Sequence, residues 1–251
     1  DKSKQISSGG TIYQDNTAAE FHCTVLYIAE SPIQKGVIWA GTDDGNVQLT
    51  IDGGASWKNL NNRIKGRPEF SWVSKIHASE HNAGTAFVTV DQHRMDDFKP
   101  YIFMTVDMGN TWTTISSNLP NRGSVYAIEE DHEDPGLIFC GTEFGVFFSP
   151  NNGKNWKELS MGLPTIAVRD IAIQREMNDL VLGTFGRGFY VLDDYSMLRS
   201  VENKQVQEKA MILPIRDAIM WEKSNPLGLP GKSFQGDNFY VGENLDPVAM
   251  I

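Results

Sequence analysis

Apolar and polar positions alternate along most of this chain in short runs, each closed by turn residues. Val25-Leu26-Tyr27-Ile28-Ala29 is the first run, and Ser31-Pro32-Ile33-Gln34-Lys35-Gly36 follows as a turn. Val37 to Thr42 is a second run, closed by Asp43-Asp44-Gly45, and Val47 to Ile51 a third. After an Asp-Gly-Gly turn comes a fourth run, Ser56 to Leu60. Period-two runs of this length, bounded by Gly, Pro, Asp and Asn, predict antiparallel strands joined by tight turns. The unit then recurs. Its later copies open at Val73, Val125 and Val168, so successive starts lie 48, 52 and 43 residues apart. Four short strands at that period predict the blades of a β-propeller.

One stretch marks the copies. It reads Thr50-Ile51-Asp52-Gly53-Gly54-Ala55-Ser56-Trp57, then Thr105-Val106-Asp107-Met108-Gly109-Asn110-Thr111-Trp112, then Ser149-Pro150-Asn151-Asn152-Gly153-Lys154-Asn155-Trp156. A hydroxyl residue, an Asp or Asn two later, a Gly two after that and a Trp three further on suit a hairpin turn. The Asp or Asn folds back on the local backbone and the Gly supplies positive φ. The Trp is a large plate that pins the hairpin to its neighbour. Asp52, Gly54, Trp57, Asp107, Gly109, Trp112, Asn151, Gly153 and Trp156 are therefore read as structural. Truncating Trp57 or Trp112 to Ala is expected to cost about 3–5 kcal/mol, as for other large core side chains.

The expected organisation is all-β. Residues 1–20 form an irregular lead-in and 21–199 about four blades, read as part of a larger propeller. Residues 200–251 form a linker and the start of a further β element, with strand-like runs at Met211–Ile215, Ala218–Trp221 and Phe239–Val241. The fourth copy has no Asp turn after Gly188–Tyr195 and reads as the last of its series.

Charge narrows the function classes. Lys and Arg number 22 against 32 Asp and Glu, for a net charge of −10. Without a basic stripe, this surface repels a phosphate backbone, so nucleic acid is not expected as a partner. No apolar run is long enough to span a membrane. Cys23 and Cys140 lack the spacing of a zinc or redox motif, and Cys140 reads as a buried free thiol. The acidic run Glu129–Asp134 lacks the alternation of a calcium loop and reads as a solvated turn, with a surface calcium ion as the alternative. No other metal or cofactor is expected.

The repeated turn resembles the Asp-box, or bacterial neuraminidase repeat. That repeat is found in sialidases, xyloglucanase-type glycosidases, sortilin-type receptors and photosystem assembly factors. Residues 50–57 and 105–112 match well, while 149–156 departs at Asn151 and Asn155. Ala29–Pro32, Gly36–Gly45, Gly141–Gly145 and Gly183–Gly188 resemble the C-terminal propeller part of large bacterial secreted Asp-box proteins, labelled "glycosyl hydrolase" or "sortilin N-terminal-like". The resemblance implies a longer parent, a secreted, periplasmic or cell-surface location, and partners that complete the propeller.

In a propeller the Asp turns share a face with the first-to-second turns. By analogy with other propellers, ligands are expected on the opposite face, among the second-to-third turns and the links. Trp72, His93, Arg94, Asp96, Phe144, Phe185 and Arg187 gather there as ligand-binding candidates, and the long Asp91–Pro100 turn is the one most suited to function. Aromatics beside carboxylates suit a glycan or a peptide. Three readings follow. The first is a non-catalytic binding or scaffold module. The second is a glycosidase using two carboxylates from Asp43, Asp44, Asp97 and Glu143. The third is a sortilin-like peptide receptor, although the ten-Cys region that accompanies such propellers is missing. A sialidase is disfavoured, because no Phe-Arg-Ile-Pro-like sequence precedes the repeats.

Overall fold

The alternating runs form strands that pair with their chain neighbours into four antiparallel sheets. The structure, a computed structural model, describes residues 23–160 and 162–201. All of these belong to the first of two units, Asp1–Glu208. The lead-in 1–20, the strand-like runs after 209 and the second unit, Lys209–Ile251, lie outside the described residues.

Sheet 1 holds β1 (Val25–Glu30), β2 (Ile38–Thr42), β3 (Val47–Thr50) and β4 (Lys58–Asn59) in that order. Sheet 2 holds β5 (Trp72–Ala78), β6 (Ala86–Asp91), β7 (Tyr101–Thr105) and β8 (Thr113–Thr114). Sheet 3 holds β9 (Val125–Glu130), β10 (Ile138–Thr142), β11 (Gly145–Ser149) and β12 (Lys157–Glu158). Sheet 4 holds β13 (Val168–Gln174), β14 (Asp179–Thr184) and β15 (Phe189–Leu192). It has three strands among the described residues, because the chain after Leu192 turns into the 3-10 segment Tyr195–Ser200 rather than an Asp turn.

The Asp turns share one hydrogen-bond network. Thr50 Oγ1 donates to Asp52 Oδ1 at 2.7 Å and accepts from Gly54 N at 2.9 Å. Asp52 in turn accepts from Ser56 N at 2.9 Å and Ser56 Oγ at 2.6 Å. Thr105, Asp107, Gly109 and Thr111 repeat this bond for bond. In the third copy Asn151 replaces the carboxylate, and its Oδ1 accepts from Ser149 Oγ and Asn155 N, both at 2.9 Å. Each turn is also tied to the first-to-second turn of its own sheet: Gly53, Met108 and Asn152 donate backbone N–H to the carbonyls of Gly36, Gly84 and Gly136. The two sets of turns thus share a face, as the sequence reading requires.

Neighbouring sheets pack face to face in chain order. The face of sheet 2 bearing Val73, Ile76, Val88 and Phe103 meets Val37, Trp39, Leu49 and Leu60 of sheet 1 and its link. The equivalent face of sheet 3, with Val125, Ile128, Cys140 and Trp156, meets Phe87, Ile102, Ile115 and Leu119. We term the face that meets the preceding sheet the entry face and the other the exit face. A glycine fits the two together. A Cβ on Gly41 would lie 2.4 Å from Val73 Cγ1, and one on Gly141 would lie 2.6 Å from the Val168 carbonyl oxygen. At these two junctions the first Val of an inner strand thus seats on a Gly of the preceding sheet, whereas sheet 2 has Thr89 in that place.

The three Trp residues separate here. Trp156 is buried, and its indole N–H donates to the Ile115 carbonyl at 2.7 Å, on the link from sheet 2. Trp112 meets Trp39 of sheet 1 edge-on, with ring centroids 6.1 Å apart and planes at 86°. Trp57 instead is 47% exposed. Its expected role as a core plate is corrected. The equivalent Trp lies on the preceding sheet, and no sheet precedes sheet 1 among the described residues.

A second correction concerns the acidic run. Glu130 and Asp131 are buried rather than solvated. Asp131 accepts from Arg199 Nε at 2.9 Å and Nη2 at 2.7 Å, from Tyr195 Oη at 2.6 Å, and from the backbone N–H of Glu133 and Asp134. Burial opposes its charge, but these donors outweigh it and hold its pKa below the usual carboxylate value. The 3-10 segment after sheet 4 is anchored on sheet 3 through this carboxylate.

A candidate ligand face opposite the Asp turns

The inner strands β5, β9 and β13 begin at the face opposite the Asp turns, and the β6–β7, β10–β11 and β14–β15 turns end there. Trp72 opens β5 and pairs with Asp91, the last residue of β6. The chain then makes a 3-10 turn, His93–Met95, closed by Asp96 at φ 61°. This turn lays the Arg94 guanidinium 3.5 Å from the Trp72 ring centroid. His93 Nδ1 meets Asp91 Oδ2 at 2.6 Å. Three of the sequence candidates are thereby gathered at one corner.

A second corner forms across sheets 3 and 4. Arg169, the second residue of β13, lies between two rings: its guanidinium is 3.7 Å from the Tyr126 centroid and 5.3 Å from that of Phe185. Burial and the field of Asp91 push the Tyr126 phenol up, Arg169 opposes them, and Glu143 adds to the rise. That coupling brings Asp91 of sheet 2, Tyr126 and Glu143 of sheet 3, and Arg169 of sheet 4 into one electrostatic neighbourhood. Glu143 Oε2 is enclosed and receives no hydrogen bond among the described residues. Phe144, beside it, is 42% exposed and lines a cleft of about 240 Å³ with Pro120, Arg122, Glu158 and Thr165.

The remaining candidates behave differently. Asp43 accepts from the backbone N–H of Cys23 at 2.7 Å and Thr24 at 2.8 Å. Asp44 is buried and bonded by Thr42 and by Asn46 Nδ2. Asp97 accepts from Tyr101 Oη at 2.6 Å. Burial and that bond raise the Tyr101 phenol to about 12. Asp44 and Asp97 thus close local turns, and Asp43 ties the β2–β3 turn to the backbone that enters β1. Asp96 and Arg187 are exposed in their turns. Asp91, Tyr126 and Arg169 are the residues that sequence reasoning missed. Arg169 follows a strand-opening Val, a position that predicts only a strand residue, and its stacking depends on Phe185 arriving from the next turn.

Among the described residues no group of three His, Cys, Asp or Glu is arranged to hold a metal, and no helix is long and apolar enough to cross a membrane. Both cysteines are free, and burial raises the Cys140 thiol well above its usual value.

No family model matches the chain, and no curated protein matches it. Solved structures do. The GH74 enzyme of Niastella koreensis aligns at a TM-score of 0.55 and 10% identity, over 68% of this chain and 29% of that one. YCF48 bound to D1 peptide aligns at 0.51 and 16%, over 68% and 52%. The extracellular domain of BT4673 from B. thetaiotaomicron aligns at 0.52 and 17%, over 73% and 22%. The chain therefore spans about half or less of the length of these structures. With three four-stranded sheets and a fourth of three strands stacked in chain order, this likeness defines the chain as an all-β protein of the β-propeller fold, with sheets enough for part of a propeller.

Proposed function

We propose that the chain is a non-catalytic binding or scaffold module of the Asp-box propeller type, part of a larger secreted or cell-surface assembly. Its ligand is a glycan or peptide carrying a carboxylate, bound on the face opposite the Asp turns. The observation that carries this reading is Arg169 held between Tyr126 and Phe185. A guanidinium flanked by rings keeps its planar N–H edge for a ligand, and carboxylates match that edge bidentately. The rings beside it supply apolar surface for a sugar face or a peptide side chain. The peptide in the YCF48 structure and the extracellular setting of BT4673 are compatible with this reading, as properties of those proteins. Against a glycosidase stands the engagement of Asp43, Asp44 and Asp97 in bonds of their own, and of Asp91, the carboxylate nearest in setting to Glu143, with the His93 backbone and ring.

An array of acidic and neutral glycans and peptides tests the reading. Acidic members should bind, and Arg169→Met should weaken them about tenfold or more, the scale of a lost hydrogen bond to a charged group. Equal binding of neutral members, or no change in the variant, refutes it.

A further inference from the structure

A cleft of about 410 Å³ opens on the Asp-turn face, where sheet 1 meets sheet 2. Its walls include Leu49 of β3, Ile51 just beyond it, Lys58 of β4, and Met108 and Asn110 from the Asp turn of sheet 2. Leu49 and Lys58 stand opposite each other across β3 and β4, so both lie on the exit face of sheet 1. These walls come from two adjoining sheets, so the cleft belongs to a junction inside the series. Ile51 is 61% exposed, and Val106, its counterpart in sheet 2, is 57% exposed. A wet apolar residue before the Asp is thus common to both turns. The cation is not: Thr113 holds the place of Lys58 in sheet 2.

Charge around the cleft is one-sided. Lys58 Nζ at 3.1 Å and Arg63 Nη1 at 2.6 Å donate to the same acceptor, Asn110 Oδ1. That acceptor is neutral, and Asn110 Nδ2 is engaged with the Asp107 carbonyl at 2.7 Å. Among the described residues neither cation has a carboxylate partner. Residues 53–68 hold Lys58, Arg63, Lys65 and Arg67 and no Asp or Glu, in a chain of net charge −10. The Asp52 and Asp107 carboxylates are held inside their own turns by Thr50, Ser56, Thr105 and Thr111.

We propose that this cleft binds an aliphatic carboxylate. The carboxylate replaces Asn110 Oδ1 between Lys58 and Arg63, and the hydrocarbon chain lies along Leu49, Ile51 and Met108. Two charged donors hold an ionised acceptor about twice as strongly as a neutral one. The Arg63 guanidinium offers a planar edge that matches both carboxylate oxygens. The chain withdraws apolar side chains from water, and the cleft has the volume of a small-molecule site. It lies on the face opposite Arg169, so it stands whether or not that face binds an acidic ligand.

Calorimetric titration of the 251-residue chain with octanoate tests this, in Arg169→Met so that the opposite face does not compete. Octanoate should bind one to one with a Kd below about 1 mM. Acetate lacks the chain and octylammonium reverses the charge, so neither should bind. Lys58→Gln and Arg63→Gln, added singly, should each weaken octanoate about tenfold, and Ile51→Glu should abolish binding. All three positions are exposed, so melting temperatures should not change. Octanoate binding no tighter than about 1 mM, equal binding of acetate or octylammonium, or unchanged affinity in either cation variant overturns the proposal. Lys58→Gln with Arg169 intact should bind acidic glycans and peptides as the wild type does, so the two faces are read separately.

Discussion

Position within the sheet series decides what a repeated residue does. Trp57 and Trp156 hold the same place in the sequence motif, yet one is 47% exposed and the other 4%. Trp156→Ala should lower stability by about 3–5 kcal/mol, through lost burial and the orphaned Ile115 carbonyl. Trp57→Ala should cost about 1 kcal/mol or less. Urea titration of both separates the cases. The glycines divide in the same way. Gly41→Ala forces a Cβ to within 2.4 Å of Val73 and should destabilise, whereas Gly183→Ala has room. The Asp turns add a pH signature. The side-chain and backbone bonds from Ser56 lower Asp52 to about 2, and those from Thr111, backbone first, lower Asp107 to about 2, both from 3.8. A depressed carboxylate contributes stability above its unfolded value and loses it as pH falls through the folded one. The melting temperature should therefore drop between pH 3.8 and about 2, and less steeply in Asp107→Asn. Equal slopes would remove the Asp turn from the acid transition.

At the scale of elements, the strands and their turns were legible, because every one carries its own period and its own Asp, Asn or Gly. The β-hairpins opened at Val25, Val73, Val125 and Val168 all form where the pattern places them. The site was legible only in part. Trp72, His93 and Arg94 lie within one hairpin, so the long Asp91–Pro100 turn gave them away. Arg169, Tyr126 and Phe185 come from two sheets, and their meeting depends on how sheets 3 and 4 stack, which no local pattern records. The acidic run misled for the same reason. Its partner Arg199 lies 68 residues downstream, on a 3-10 segment that no motif announces. Removing that arginine leaves Asp131 buried with its charge unpaired. Arg199→Ala should lower stability by about 3 kcal/mol, measured by the urea midpoint, and should expose Tyr195 to solvent. A variant as stable as the wild type would reduce the Asp131–Arg199 contact to a bystander.

At the scale of the whole molecule, acidic character and a mixed-charge ligand face fit together. Net repulsion keeps the surface clear of polyanions, while the aromatic-backed arginines form local exceptions to it. Charge also crosses between sheets: Lys75 of β5 reaches Asp170 of β13 at 2.6 Å and lies 5.5 Å from the Tyr27 ring of β1. His77 belongs to the same inner strand. Burial opposes its charge, but the hydrogen bond it donates to Glu129 and the nearby Glu130 and Glu80 carboxylates outweigh it and raise its pKa above 6.5. A raised histidine contributes stability below its unfolded value and loses it as pH rises through the folded one. Melting temperature should thus decline above pH 6.5, and His77→Gln should flatten that decline.

The Val-on-Gly fit has one more consequence, for how such a gene can change length. Each of the later repeats opens with a projecting Val, which meets a Gly recess on sheets 1 and 3 and the small Thr89 on sheet 2. Copying or deleting a whole repeat therefore still leaves a Val facing a small residue at each junction. New members need no redesigned boundary, while an insertion of half a repeat would place two projections or two recesses against each other. Variation in this lineage should accordingly come in whole units of about fifty codons.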